Sequence, residues 1–256
     1  MAYITAVAGK GGTGKTTITG MLIDWMCTHG KGPVLAVDAD ANSNLNEVLG
    51  VEVETTLGDI REIIAAAENA EENPIPAGLS KKEYLDYKFN SALIEEDDFD
   101  LLVMGRTQGK GCYCFVNDLL TAQLKKLEGG YKNIMVDNEA GMEHISRGIL
   151  PSVNQIILVS DCSRRGIQAV GRIAELSEEM KLGAERICLI VNRAPEGELN
   201  PGIKEEIEKY GLNLVGVVPQ DEMVYEYDCD GKATSKLPAD SKARKAVEEI
   251  AAKLFE

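Results

Sequence analysis

The segment of residues 9–17 constrains the fold of this chain more than any other part of the sequence. Its glycines at positions 9, 11, 12 and 14 allow backbone angles that other residues resist. The apolar, β-favouring run of residues 3–7 comes just before it and predicts a buried first strand. Apolar residues then recur at helical spacing from Thr16 to His29. The sequence therefore predicts a strand, a tight glycine-rich loop and a helix in direct succession.

The glycine-rich loop fits the pattern G-x-x-x-x-G-K-S/T of a phosphate-binding loop, or P-loop. Backbone N–H groups in such a loop point at phosphate oxygens, and the dipole of the following helix adds to the attraction. We therefore expect the loop to bind a nucleotide, ATP or ADP, together with Mg²⁺. The residues expected to contact the nucleotide here are Gly9, Lys10, Gly11, Gly12, Thr13, Gly14, Lys15, Thr16 and Thr17.

Four side chains of the P-loop have particular expected roles. Lys15 is predicted to lie on the β- and γ-phosphates, and the Thr16 hydroxyl to ligate Mg²⁺. Thr17 is predicted to face the α-phosphate. Lys10 follows the first glycine directly, and this second lysine suggests a class of ATPase that works as a dimer.

Apolar β-type runs alternate with helical patterns along the rest of the chain, which predicts an α/β fold. The further predicted strands are residues 34–37, 101–104, 133–136, 155–159, 187–191 and 214–218, and the further predicted helices are residues 56–67, 116–127, 167–182, 203–210 and 241–254. Strands separated by helices indicate a doubly wound, mostly parallel sheet with helices on both faces and the ligand site at the carboxyl ends of the strands. The length of 256 residues favours a single P-loop domain over residues 1–256.

Composition excludes several classes of partner. The formal net charge of −15 disfavours binding to nucleic acid. No apolar run reaches the length of a membrane span, and the N-terminus lacks the basic region of a signal peptide. The apolar stripe of the C-terminal helix is expected to pack on the sheet rather than bind a membrane. Six cysteines in a chain of this size do not indicate a disulfide framework, so we expect a cytoplasmic protein.

Acidic residues follow two of the predicted strands and are expected to lie beside the P-loop. Asp40 is predicted to orient the attacking water, and Asp38 to help hold the magnesium shell. Asp137 fits the role of a carboxylate that binds Mg²⁺ through water. The backbone N–H of Gly141 is predicted to contact the γ-phosphate and so to sense hydrolysis.

Two later strand ends are predicted to contact the base. The Asn192 side chain offers an amide to the polar edge of a purine. Pro219 and the two residues after it are expected to offer backbone groups to the same base. These residues alone do not identify the base.

The pair Cys112 and Cys114 is a candidate metal site. Two thiolates from one loop can chelate one ion, but tetrahedral zinc usually takes four ligands. A two-fold homodimer supplies the same pair twice and gives a site with four cysteines on the axis. Ni²⁺, Zn²⁺ and Cu⁺ all accept thiolate, so the spacing does not choose among them.

Residues 68–100 interrupt the alternation of strands and helices. They are rich in acids and hold two prolines. We expect a solvated surface excursion there, with a docking surface for a partner as the alternative.

The motifs together carry a family resemblance over essentially the whole chain. Residues 9–17 resemble the deviant Walker A loop of the MinD/nitrogenase-iron-protein class of ATPases, residues 37–40 its switch I, and residues 137–141 its switch II. Within that class, residues 137–147 together with Cys112 and Cys114 are similar to the CooC-type nickel-insertion ATPases. Those proteins serve the maturation of carbon monoxide dehydrogenase or acetyl-CoA synthase.

The resemblance implies a homodimeric ATPase that delivers nickel to one of those client enzymes. It implies that Lys10 reaches across the dimer to the partner's phosphates, that Asp40 orients water, and that Cys112 and Cys114 hold Ni²⁺ or Zn²⁺ at the interface. ATP would close the dimer and hydrolysis would open it.

Two other functions remain open at this point. An electron donor like the nitrogenase iron protein also shares a metal centre between subunits, but it uses cysteines far apart in sequence. A MinD- or ParA-like positioning ATPase has no need of the Cys-x-Cys pair.

Overall fold

The computed structural model describes residues 2–69, 75–76, 78–106, 113–141, 153–180 and 183–256. Within these ranges the strands are β1 (Tyr3–Ala8), β2 (Val34–Ala39), β3 (Leu93–Glu95), β4 (Phe99–Val103), β5 (Asn133–Asn138), β6 (Gln155–Asp161), β7 (Arg186–Ala194) and β8 (Leu214–Pro219). The α-helices are α1 (Lys15–Thr28), α2 (Leu45–Leu49), α3 (Leu57–Asn69), α4 (Lys81–Asn90), α5 (Tyr113–Leu127), α6 (Arg164–Glu179), α7 (Pro201–Lys209), α8 (Glu222–Cys229) and α9 (Lys242–Phe255).

The described strands form one eight-stranded sheet in the order β3-β4-β2-β5-β1-β6-β7-β8. Neighbouring strands are parallel except at one edge, where β3 runs antiparallel to β4. The strand order reverses beside β1, so the loops after β1 and its neighbours open on one crevice. The predicted doubly wound, mostly parallel sheet is confirmed.

Helices cover both faces of the sheet and create two separate apolar cores. One core joins the sheet to α3, α5, α6 and α7, and the other joins it to α1, α2 and α9. Side chains alternate between the two cores along β1, with Ile4 and Ala6 on one face and Val7 on the other. Burial on both faces explains why the central strands read as continuous apolar runs.

The C-terminal helix packs on the sheet, as the sequence predicts. Ser241 caps α9 by accepting a hydrogen bond from the Arg244 backbone N–H at 3.1 Å. The apolar stripe of α9 is buried against the core that also holds α1: Ala243, Val247, Ile250, Ala251 and Leu254. Gly216 in β8 permits this contact, because a Cβ atom there would lie 2.2 Å from Cγ1 of Ile250.

The expectation of a surface excursion over residues 68–100 is wrong for part of this segment. It contains α4 and β3, and β3 extends the sheet as its antiparallel edge. A capping box starts α4, in which the Ser80 and Glu83 side chains each accept a hydrogen bond from the other residue's backbone. Sequence analysis also missed the short helices α2 and α8.

No helix in the described ranges combines the length and the apolar character that a bilayer span requires.

Candidate functional site

The predicted site residues lie at or just after the carboxyl ends of strands that are close together in the sheet. They come from β1 (the P-loop), β2 (Asp38 and Asp40), β5 (Asp137 and Gly141), β7 (Asn192) and β8 (Pro219). The fold therefore brings together residues that are more than 200 positions apart in the sequence.

Two glycines of the P-loop are required by close contacts. Gly14 is the N-cap residue just before α1 and has a left-handed φ of 88°, and a Cβ atom there would lie 2.3 Å from Nδ2 of Asn192. A Cβ atom at Gly9 would lie 2.2 Å from the Val159 carbonyl oxygen. The Thr13 hydroxyl donates to the Lys10 carbonyl at 2.9 Å and closes the loop. The loop thus wraps tightly over the ends of β6 and β7.

Buried charges lie directly under the P-loop. Lys15 is 7% exposed, and Asp38 and Asp137 are 0% and 1% exposed. The two aspartates are register partners on β2 and β5. Burial raises the pKa of Asp137 to about 7, with the Asp38 charge adding to the rise, while a hydrogen bond with the Thr16 hydroxyl and the Lys15 charge oppose it. The carboxylate oxygens of Asp38 and Asp137 and the Thr16 hydroxyl thus lie close together beside the phosphate loop.

Asp38 organises the loop that follows β2. Its Oδ1 accepts a hydrogen bond from the Asp40 backbone N–H at 3.0 Å, and its Oδ2 accepts one from the Leu45 N–H at 2.9 Å. Burial raises the pKa of Asp38 to about 6, although these backbone hydrogen bonds oppose the shift. The carboxylate therefore fixes the position of Asp40.

Asp40 lines the phosphate side of the site and is held by its neighbour Asn42. Its Oδ1 accepts hydrogen bonds from the Asn42 backbone N–H at 2.8 Å and from Nδ2 of the same residue at 3.0 Å. The Arg106 guanidinium in turn donates to Oδ1 of Asn42. Sequence analysis did not single out Asn42 or Arg106, because neither belongs to a spacing motif.

The Gly141 backbone N–H donates to the Gly9 carbonyl oxygen at 3.0 Å. This bridge joins the run after β5 to the first glycine of the P-loop. The proposed contact of Gly141 with a γ-phosphate requires the same N–H.

Two adjoining cavities extend from the P-loop. The first has a volume of about 480 Å³ and is lined by P-loop residues, Asp40 and Asn44. The second has a volume of about 580 Å³ and is lined by Asn192 and by Pro219 with the two residues after it. Both cavities share four lining residues, which are Thr17, Arg193, Asp228 and Thr234. Residues predicted to contact the phosphates line the first cavity, and residues predicted to contact the base line the second.

Asn192 contacts the P-loop as well as lining the second cavity. Its Nδ2 donates to the Thr13 carbonyl at 2.9 Å, and its Oδ1 accepts from the Arg193 backbone N–H at 2.9 Å. One N–H of the amide remains for a base. Arg193 has a left-handed φ of 56° and donates through Nη1 to the Gly12 carbonyl at 3.1 Å. Sequence analysis did not predict that Arg193, like Asn192, supports the P-loop.

Lys10 is exposed, and no carboxylate among the described residues pairs with its ammonium group. The side chains of Cys112 and Cys114 lie outside the described residues, although the backbone of Cys114 belongs to the first turn of α5. In the described part of the chain, no group of three or more histidine, cysteine or acidic side chains is arranged to hold a metal ion. Elsewhere in the described chain, Cys188 is buried and Cys27 is half-buried.

The strand, the glycine-rich loop, the helix that follows and the buried lysine define a P-loop nucleotide-binding protein. A profile described as the CobQ/CobB/MinD/ParA nucleotide binding domain matches residues 4–234, so the chain belongs to that family and is a P-loop ATPase.

Three relatives place the chain within the family. An uncharacterized ATP-binding protein of Methanocaldococcus jannaschii is 41% identical over 256 residues, covering 98% of each chain. The carbon monoxide dehydrogenase accessory protein CooC of Rhodospirillum rubrum is 29% identical and covers 88% of this chain and 87% of its own. The solved structure of the septum site-determining protein MinD of Pyrococcus horikoshii, complexed with Mg-ADP, matches with a TM-score of 0.74 and 25% identity, covering 100% of this chain and 97% of that one.

Proposed function

We propose that this chain is a homodimeric maturation ATPase, formed by one domain over residues 1–256, that delivers nickel to a carbon monoxide dehydrogenase or an acetyl-CoA synthase. The observation that carries the proposal is the position of the Cys112–Cys114 pair in the chain. In the sequence the pair comes after β4, whose carboxyl end lies beside β2, and the backbone of Cys114 belongs to the first turn of α5. We therefore expect the cysteines at the carboxyl end of the sheet, on the side where the nucleotide is proposed to bind.

The P-loop ATPase part of the proposal uses the groups that line the groove. Lys15 and the P-loop N–H groups bind the phosphates, Asn192 and Pro219 contact the base, and Asp40 orients the attacking water. Lys10, exposed at the rim, reaches the partner's phosphates and neutralises charge that develops during hydrolysis.

The donor set under the P-loop fits Mg²⁺, which takes oxygen ligands. The Thr16 hydroxyl, Asp38 and Asp137 would hold it directly or through water, and the ion would supply neutralisation of phosphate charge. The MinD structure that this chain resembles contains Mg-ADP. Burial disfavours the charged forms of Asp38 and Asp137 and raises the pKa of both groups. A bound cation would favour the charged forms, so the two buried carboxyl groups are consistent with a cation partner.

The nickel part of the proposal is supported by the Cys-x-Cys spacing and by the similarity to CooC. The cargo ion would bind thiolates from both subunits on the dimer axis. Closure by ATP would bring the two pairs together, and hydrolysis would separate them and release the ion toward the client.

A positioning function like that of MinD is less consistent with the C-terminal helix. Membrane attachment through α9 would require its apolar stripe, but Val247, Ile250 and Leu254 are buried against the sheet. The net charge of −15 also disfavours a DNA surface.

The test is an anaerobic nickel titration of the Cys112→Ala/Cys114→Ala double variant, with and without ATP, followed by light scattering. We expect the parent chain to bind one ion per dimer and the double variant to lose tight binding while it keeps nucleotide affinity. Cys229→Ala, which removes an exposed cysteine in α8, is the matched control and should behave as the parent. Unchanged nickel stoichiometry in the double variant would exclude the interface site. A brown anaerobic preparation would instead indicate an iron–sulfur electron donor.

A further inference from the structure

The loop after β2 carries Asp40 on a short chain of hydrogen bonds. Oδ1 of Asp40 receives both the backbone N–H and the side-chain Nδ2 of Asn42. In the described part of the chain, no other group donates to this carboxylate. Because Oδ1 is occupied, Oδ2 is the oxygen of Asp40 that is available to a water in the phosphate cavity.

Asn42 also connects the Asp40 carboxylate to Arg106. Its amide donates through Nδ2 to Asp40 and accepts through Oδ1 from Nη2 of Arg106. An amide has distinct donor and acceptor ends, so these two partners together define its orientation. The guanidinium is a charged donor, and charge-assisted hydrogen bonds are stronger than neutral ones.

The backbone from which Arg106 extends is closely packed. Gly58 of α3 donates its N–H to the Met104 carbonyl at 2.8 Å, and a Cβ atom at Gly58 would lie 2.3 Å from the Arg106 carbonyl oxygen. Gly105 has a left-handed φ of 68° and lies against Thr56. The guanidinium therefore extends from backbone that is packed against α3 just after the end of β4.

We propose that Arg106 is a positioning residue for ATP hydrolysis, acting through Asn42 to hold the Asp40 carboxylate in the orientation that places the attacking water. This inference rests on the proposed role of Asp40. The physical reason is that an error of about 1 Å in the position of a catalytic group can slow a reaction on the order of a hundredfold. Arg106 and Asn42 are both exposed, so neither is needed to fill a core.

The experiment measures single-turnover hydrolysis at saturating Mg·ATP together with nucleotide affinity. Arg106→Gln and Asn42→Ala should each slow hydrolysis about tenfold and leave the nucleotide Kd within about twofold. Arg106→Lys should recover part of the rate, because an ammonium group can also donate to the Asn42 oxygen. Arg172→Gln, which removes an exposed arginine from α6, is the matched control and should retain the parent rate.

A double-mutant cycle separates positioning from a direct effect on the phosphates. In the Asp40→Asn background, Arg106→Gln should cause little further loss, because its route to the water is already interrupted. Equal slowing by Arg106→Gln in both backgrounds would overturn the inference, since the arginine would then act without Asp40.

The remaining outcomes distinguish this inference from the proposed function. If Asp40→Asn hydrolyses ATP at the parent rate, the proposed role of Asp40 fails and the inference fails with it. If Asp40→Asn is slow while Arg106→Gln and Asn42→Ala are normal, only the role of Arg106 is overturned.

Discussion

Asp38 and Asp137 face each other across two neighbouring strands, beneath a loop that collects negative phosphates. Burial raises the pKa of both groups, the Asp38 charge adds to the rise at Asp137, and the Asp40 charge adds to it at Asp38, so both carboxyl groups keep their protons to a higher pH than in an unfolded chain. Between the ordinary carboxyl pKa and about 7, the folded state binds more protons than the unfolded state. These groups therefore make the folded protein less stable as the pH rises through that window.

The first prediction follows from this loss of stability with rising pH. Asp137→Asn removes a charge that the buried site disfavours, so without Mg²⁺ or nucleotide it should be more stable than the parent at pH 8, by on the order of 2 kcal/mol. The difference should shrink toward pH 5, where the parent carboxyl is protonated. Urea unfolding at both pH values measures it. The exposed Asp118→Asn should show no such pH dependence, and an equal shift at both pH values for Asp137→Asn would contradict the explanation.

Sequence reasoning identified the residues that belong to a spacing motif and missed those that support them. Lys15 and Asp137 were predicted as site residues because a glycine loop and an apolar strand precede them. Arg193 and Asn42 were missed because their contacts depend on where separate strand ends meet. Asn192 was expected to present its amide to a base, but its position close to Gly14 also makes it a support of the P-loop.

Elements with strong apolar periodicity were predicted well. The predicted helix of residues 241–254 corresponds to α9, with Ser241 as its cap, and the predicted strand of residues 133–136 lies within β5. Helix α4 was missed because few of its described side chains are buried, although the spacing of Ser80 and Glu83 was a readable capping signal. Strand β3 was missed because its three residues are too short to show alternation.

The second prediction concerns the contact between α9 and β8. Gly216→Ala places a methyl group against Ile250 and should destabilise the protein by about 1–3 kcal/mol in urea unfolding. Adding Ile250→Ala removes the clashing atoms, so the double variant should lose less than the sum of the single changes. Gly129→Ala, where a Cβ atom meets nothing within 4 Å, is the control. Additive losses in the double variant would rule out the close contact as the cause.

At the scale of the whole molecule, the sheet order places the candidate site residues together at the carboxyl ends of the parallel strands. Parallel strands with helical crossovers direct the loops after β1, β2, β5, β7 and β8 to the same side. Sequence analysis predicted this placement from the alternation of strands and helices. It could not supply the geometry of a second subunit, because a two-fold interface is defined by surfaces rather than by motifs.

The third prediction tests whether Lys10 acts across the dimer. Lys10→Ala should bind ATP but hydrolyse it at least about a hundredfold more slowly, as for a cation supplied in trans. Asp40→Asn should also be slow. A mixture of the two variants should regain part of the activity, because a mixed dimer has one site with its own Asp40 and the partner's Lys10. The steady-state rate of the mixture is compared with that of each variant alone.

A mixture that remains as slow as its components would contradict action in trans, provided that light scattering shows dimers. Lys132→Ala removes another exposed lysine and should leave the rate unchanged.

The bridge between Gly141 and Gly9 has a consequence for the order of events in a catalytic cycle. A single amide proton cannot serve the Gly9 carbonyl and a γ-phosphate oxygen at the same time at full strength. The proposed contact of Gly141 with a γ-phosphate would therefore require its N–H to release the Gly9 carbonyl. Under that proposal, the arrival of a terminal phosphate would be converted into a backbone displacement that begins at a single peptide group.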